Sequence, residues 1–149
     1  ASATEEEKKQ YLQTVFETTY LKNVIERNHL RNPEGMRKLI QVLASCIGSC
    51  TNPNNIVNTF MSGEKLVISS AAVGHYLEYL QDAFIISEAQ RYDVKGRKYI
   101  GSASKYYFED IGIRNMLINF RQQEETHIME NIIYNELLLR GYSVDVGQV

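Results

Sequence analysis

A chain of 149 residues sets the expectation of one domain, or two very small ones, with enough interior for a core that needs no disulfide staples. Apolar residues at 44% and charged residues at 23% exclude a disordered, collagen-like or membrane-embedded polypeptide, and no run approaches the roughly 18 apolar residues of a membrane span. The 16 Lys and Arg against 18 Asp and Glu leave a net charge of -2, so the chain as a whole is no polyanion binder, while a local basic patch stays open.

In chain order, Thr4 before Glu5, Glu6 and Glu7 is a capping start, and Leu12, Val15, Phe16, Tyr20, Val24 and Ile25 recur at roughly helical spacing. One long amphipathic helix over residues 4–28 follows. Asn32-Pro33 supplies an N-cap and a first-turn proline for a second helix, with Met36, Leu39, Ile40, Leu43 and Ile47 inward until Gly48. Asn52-Pro53 repeats that signal for a short third helix with Ile56, Val57 and Phe60, ending near Gly63. Ser69 or Ser70 caps a fourth, with Val73, Tyr76, Leu77 and Leu80 on its inner face, Phe84 closing it, and Gly74, His75, Glu78 and Gln81 outside.

The periodicity then changes. Phe84-Ile85-Ile86 and Tyr106-Tyr107-Phe108 are rich in β-formers and flank a polar, glycine-containing stretch, which predicts a β-hairpin. Its loop holds Arg91, Lys95, Arg97, Lys98 and Lys105 against one acid, Asp93, so positive charge is concentrated there. Asp110 caps a short helix with Ile113, Met116, Leu117 and Phe120 inward, Arg121 to Glu125 is a polar hinge, and a last helix over about residues 123–140 ends at Arg140-Gly141. Tyr142, Val144 and Val146 alternate as a terminal strand within residues 142–148 that needs a partner, and the expectation is a neighbour beyond Val149 or a second copy of the chain. Ala1-Ser2-Ala3 with no Met reads as a cut start.

Helix, helix, capped recognition-type helix and hairpin is the order of a winged helix-turn-helix, over about residues 33–109. Residues in this region carry a family resemblance as well. Tyr76-Leu77-Glu78-Tyr79-Leu80-Gln81-Asp82-Ala83-Phe84, then Arg91-Tyr92, Lys95-Gly96-Arg97-Lys98 and Lys105-Tyr106-Tyr107-Phe108-Glu109-Asp110-Ile111-Gly112-Ile113-Arg114-Asn115, resemble the C-terminal domain of prokaryotic AAA+-like P-loop ATPases. His127-Ile128-Met129-Glu130-Asn131-Ile132-Ile133-Tyr134-Asn135-Glu136-Leu137 with Arg140-Gly141-Tyr142-Ser143-Val144 resembles the next segment of that family. The match covers about the last two thirds of the chain, and several motifs in order are more specific than any one.

The resemblance implies a parent with an N-terminal ATPase module using ATP and Mg, a helical lid, a winged helix and a nuclease-like α/β domain of the PD-(D/E)xK type. Residues 1–31 would be the end of the lid, residues 32–121 the winged helix, and residues 122–149 the truncated start of the nuclease-like domain. The fold class expected is mainly α with a small β component. No G-x-x-x-x-G-K-[ST] is present to cradle a triphosphate, and no strand Asp is followed by E-x-K, so the chain itself is expected to bind no cofactor and to be no complete enzyme.

Other candidate residues favour structural roles. Cys46 and Cys50 span Gly48 at a spacing zinc could use, yet no second Cys or His pair follows, so buried free thiols in a reducing, cytoplasmic setting are expected. Glu124, His127 and Glu130 give half of a di-iron helix motif and lack the other half. Asp110 is expected to cap its helix and to pair with Arg114, while the resemblance leaves open a contact of Arg114 with the ATPase module. Gly112, Asn115, Asn131, Arg140 and Gly141 are family-motif residues of structural role, and Glu130 and Glu136 are read as solvated or ion-paired rather than catalytic.

The basic loop, with Tyr92 and Tyr99 interleaved, is the best ligand-facing feature: Arg91, Lys95, Arg97, Lys98 and Lys105, with His75 as a weaker candidate, suit phosphate contacts, while a solvated hairpin remains the bland reading. Between Ser70 and Asp82 the recognition-type helix has no Lys or Arg and two acids, Glu78 and Asp82, which argues against base readout. The chain is therefore expected to be the non-catalytic region of an ATPase, coupling the ATPase module of its own polypeptide to duplex DNA, without sequence preference, or to a protein. A stand-alone winged-helix regulator and a truncated nuclease half are the alternatives. No membrane role is expected.

Overall fold

The computed structural model describes residues 3–63, 66–121 and 125–148. It is a mixed α/β molecule, 59% helical and 16% strand. Helix α1 (Glu5–Val15) starts from a complete capping box: Glu7 N–H donates to Thr4 Oγ1 and Thr4 N–H donates to the Glu7 carboxylate. It runs through a π-helical segment (Phe16–Leu21) into α2 (Lys22–Arg27), so the expected single helix contains one wider turn. That turn changes which residues point inward. In an α-helix Phe16 would share its face with Tyr20; in the π turn the partner is Leu21, and Phe16 and Leu21 are 2% and 1% exposed while Tyr20 is 44% exposed.

Helix α3 (Pro33–Ser45) is capped by Asn32, whose Oδ1 accepts from Gly35 N–H at 2.9 Å. A two-residue strand β1 (Cys50–Thr51), too short to leave a sequence pattern, precedes α4 (Pro53–Gly63) and α5 (Ser70–Asp82), the latter capped by Ser69. Phe84 does not close α5 on the core: it is 79% exposed and sits in the left-handed region at φ 56°, where the chain turns into β2 (Ile86–Asp93). Strand β3 (Lys98–Phe108) completes the predicted hairpin, and α6 (Ile111–Leu117) follows under its Asp110 cap. Phe120 lies beyond α6 in a left-handed turn, half-buried, with Lys9 Nζ 5.0 Å from its ring centroid.

Of the hinge expected at Arg121 to Glu125, residues 122–124 lie outside the described residues. Helix α7 (Glu125–Leu139) ends at Gly141, at φ 84°, where Tyr142 N–H donates to Leu137 O and Gly141 N–H to Leu138 O. The terminal strand is shorter and later than the alternation of Tyr142, Val144 and Val146 predicts: β4 covers Val146–Gln148, and Tyr142 is exposed. It finds a partner within the chain, pairing in parallel with β2 from Arg91↔Val146 to Asp93↔Gln148. The sheet order is β1-β3-β2-β4, with β1 and β2 both antiparallel to β3.

The sheet divides two apolar layers. Ile86, Tyr106 and Phe108 join the main core with Phe16, Leu21 and Val24 of the N-terminal rod, Met36, Leu39, Ile40 and Leu43 of α3, Phe60 of α4 and Leu77 and Leu80 of α5. On the opposite face Ala89 and Tyr107 pack with Tyr134 of α7, flanked by Leu138, Val144 and Val146. Alternation along β3 sets this division, with Tyr106 and Phe108 on one side and Tyr107 on the other. Because the π turn decides which side chain is buried, Leu21→Ala should cost about 2–5 kcal/mol in urea unfolding, while Tyr20→Ala should stay within about 1 kcal/mol. An uninterrupted α-helix would reverse the ranking.

Candidate nucleic-acid interface

The turn between β2 and β3 is built by Asp93, whose Oδ1 accepts from Lys95 N–H at 3.0 Å. A Cβ on residue 96 would fall 2.4 Å from the Asp93 carboxylate, so the close approach of that side chain requires Gly96. Arg97 then adopts φ 51° and reverses the chain. This geometry leaves Lys95, Arg97 and Lys98 exposed at one tip, and none of the three side chains has an ion pair or hydrogen bond among the described residues.

The other cations named from the sequence lie elsewhere. Arg91 sits lower on β2, half-buried, and its guanidinium donates to the Gln148 side-chain carbonyl across the β2–β4 pair. Lys105 is on β3 and faces α7, where Nζ is 2.7 Å from Glu130 Oε1. His75 is on α5, exposed, 3.7 Å from Glu78 and stacked on Tyr79 with centroids 6.5 Å apart. So three of the six candidates form one exposed cluster. Tyr92 and Tyr99 meet edge to face at 5.2 Å just below it, and the Tyr99 hydroxyl donates to Asp145 Oδ2 at 3.2 Å, which pushes that hydroxyl's pKa up.

Beneath the hairpin, α7 clamps β3. Asn131 is fully buried; its Oδ1 accepts from Phe108 N–H at 2.9 Å and its Nδ2 donates to Phe108 O at 2.8 Å. Asn135, one turn on, donates to the same carbonyl at 2.9 Å, and Tyr134 stacks on Tyr107 with centroids 4.2 Å apart. Glu130 accepts from both Lys105 and the Tyr107 hydroxyl. Burial works to raise the Glu130 pKa, but these two hydrogen bonds and the charges of Lys105 and His127 outweigh it and hold the carboxyl below its ordinary value. Burial first, and then the hydrogen bond to Glu130, drives the Tyr107 hydroxyl well above its own. His127 packs on Gly48, where a Cβ would come within 2.4 Å of Nδ1.

The remaining motif residues are structural in their contacts. Asp110 Oδ1 accepts from Gly112 and Ile113 N–H, which is the expected cap. Arg114, expected to pair with Asp110, reaches instead across to α3: it is 2% exposed, Nε donates to Ala44 O at 2.9 Å, and Nη1 donates to Asn115 Oδ1 at 3.1 Å. A guanidinium there satisfies a carbonyl in the last turn of α3 and complements its dipole. Glu136 and Arg140 pair on the exposed face of α7 at 2.8 Å. Cys46 is half-buried, and burial pushes its thiol pKa up; Cys50, expected to be buried, is exposed on β1, and both are free. Glu124 of the half di-iron motif lies outside the described residues, among which no group of three metal-binding side chains forms.

Sequence reasoning missed the clamp made by Asn135 and Tyr134. The available signal was a helix apolar nearly all round that carries two asparagines four residues apart. Because the folded Glu130 has a depressed pKa, its contribution is fully present above about pH 4.3, the unfolded value, and is lost as pH falls through the lower folded one. Glu130→Gln should therefore cost about 1 kcal/mol at pH 7, a figure discounted because the carboxylate is partly exposed. The wild-type advantage should shrink in paired thermal melts as pH is taken down below that unfolded value.

A family model described as "Domain of unknown function (DUF8612)" matches residues 1–124. The chain is 33% identical over 142 residues to an uncharacterized protein of Haemophilus influenzae, covering 95% of this chain and 35% of that relative. It is 28% identical over 135 residues to uncharacterized protein MJ1544 of Methanocaldococcus jannaschii, covering 91% of this chain and 30% of that relative. The chain thus spans about a third of the length of the curated relatives it matches, and both come from prokaryotes. No solved structure matches it. With the family model matching residues 1–124, well over half of its length, the chain belongs to the DUF8612 family.

Proposed function

We propose that this chain is a non-catalytic winged-helix module of a cytoplasmic, AAA+-like prokaryotic ATPase, which couples the ATPase module of the same polypeptide to duplex DNA through backbone contacts. The observation that carries the reading is the succession α3, β1, α4, α5, β2, β3 with strand order β1-β3-β2, which presents a capped helix beside a hairpin whose tip is cationic and free. A helix-turn-helix followed by a wing uses that order. Lys95, Arg97 and Lys98 are the groups for phosphates, with Arg91 at the base of the wing. ATP and Mg belong in this reading to the parent's ATPase module, since the chain has no P-loop.

In the same reading α7 and β4 open an α/β domain of nuclease-like type. Support comes from the parallel pairing of β4 with β2, which is the habit of sheets covered on both faces, and from the exposed Met129, Ile132, Ile133 and Leu139 on the outer side of α7. A protein partner is the second reading, favoured by α5 itself: its exposed surface carries Glu78 and Asp82 with no Lys or Arg, which suits a basic protein surface better than a DNA groove.

Titration of labelled duplex against the chain at several salt concentrations separates the two. Phosphate contacts release counterions, so log affinity should fall with log salt by about 0.9 per phosphate neutralised, with little dependence on sequence. Replacing Lys95, Arg97 and Lys98 together by Ala should flatten the slope by two or three such steps and leave the melting temperature within a few degrees of wild type. Undetectable binding at low salt, or equal binding by both proteins, overturns the DNA reading in favour of the protein partner.

A further inference from the structure

A cavity of about 340 Å³ opens between the N-terminal rod and the last turn of α5. The rod supplies Thr19 and Tyr20 from the π turn and Asn23 and Arg27 from α2; α5 supplies Tyr79 and Asp82. The volume is that of a small-molecule site. The π turn helps to make it, because directing Leu21 rather than Tyr20 into the core leaves Thr19 and Tyr20 on the cavity wall.

Both helices that frame the cavity end at it, and both end under strain. Leu30 N–H donates to Ile25 O at 3.1 Å and His29 N–H to Glu26 O at 3.2 Å; Ile85 N–H donates to Leu80 O and Phe84 N–H to Gln81 O, each at 3.0 Å. These are two Schellman turns, and the left-handed position that glycine occupies without cost is His29 at φ 51° in one and Phe84 at φ 56° in the other. Each follows directly on a residue of the cavity wall, Asn28 or Ala83.

The chemistry of the wall is bipolar. Arg27 and Asp82 stand on opposite elements, and neither has an ion pair or hydrogen bond among the described residues; the same holds for the hydroxyls of Tyr20 and Tyr79 and for the Asn23 carboxamide. The C-terminal end of α5 favours positive charge beside Asp82, and tyrosine faces attract an ammonium group. Arg27 and Asn23 suit a carboxylate.

We infer that this cavity binds a free amino acid, its ammonium group held by Asp82 and its carboxylate by Arg27. Such a ligand bridges the rod to α5 and tightens the contact between them, which makes the site a place where a metabolite sets the position of the N-terminal helix. The inference stands apart from DNA binding: it uses none of the hairpin residues.

Isothermal titration of the wild-type chain against each proteinogenic L-amino acid, with the decarboxylated amine and the deaminated acid of any that binds, tests it. The expected result is saturable binding of at least one amino acid, weakened about tenfold or more when either charged group is missing, as loss of one charged hydrogen bond requires. Asp82→Asn and Arg27→Gln, both at exposed positions, should weaken binding by a similar factor with unchanged circular dichroism. In the wild-type protein, amide resonances of residues 19–28 and 79–84 should shift on binding. Absence of binding by every amino acid at millimolar concentration overturns the inference, as does equal affinity for the bare amine, or resonance shifts confined to other residues.

Discussion

Strand β3 is paired along nearly its whole length by β2, but on its other side β1 covers only Ser104 and Lys105. The backbone groups of Phe108 are buried where β1 no longer reaches, and an unpaired buried amide and carbonyl cost about 1–3 kcal/mol each. The Asn131 carboxamide supplies both partners at once, donating and accepting as a strand would. One side chain thus does the work of a missing strand residue. The arrangement of α7, and through it of the second apolar layer around Tyr107 and Tyr134, follows from where that carboxamide must sit.

The helical side is closed by a comparable device. The last turn of α3 has carbonyls with no helical partner, and Ala44, among the most buried residues of the chain, carries one of them. Arg114 of α6 answers it from 70 residues away in sequence. The guanidinium also donates to Asn115, and these bonds offset part of the cost of burying a charge to 2% exposure.

Helix starts were the most legible part of the sequence, because a cap is local chemistry. Thr4, Asn32, Ser69 and Asp110 each accept the backbone hydrogen bond that their position predicts. The hairpin was legible for a similar reason, through its β-formers and its turn residues. What escaped was decided at longer range or by a single extra residue. Leu21 takes the place of Tyr20 because the π turn shifts the face by one position, and β1 exists only because β3 offers it an edge. Of the candidate interface, charge density located the cluster, but not its division: Lys105 is drawn away by Glu130 and Arg91 by Gln148, partners 25 and 57 residues distant. Composition cannot reveal such pairings.

The parallel pairing of β4 with β2 also ties together parts of the chain that lie far apart in sequence. Arg91 and Val146 pair with the hairpin, α6 and the whole of α7 between them in sequence, and closing so long a loop costs entropy, as it does for Cys50 and Lys105 where β1 meets β3. The hairpin and the helices around the main core have short-range nuclei of their own. Helix α7 covers the outer face of the sheet through Asn131, and β4, three residues long and at the end of the strand order, gives the strand nearest the cationic tip the least local support, the condition under which segments open most readily.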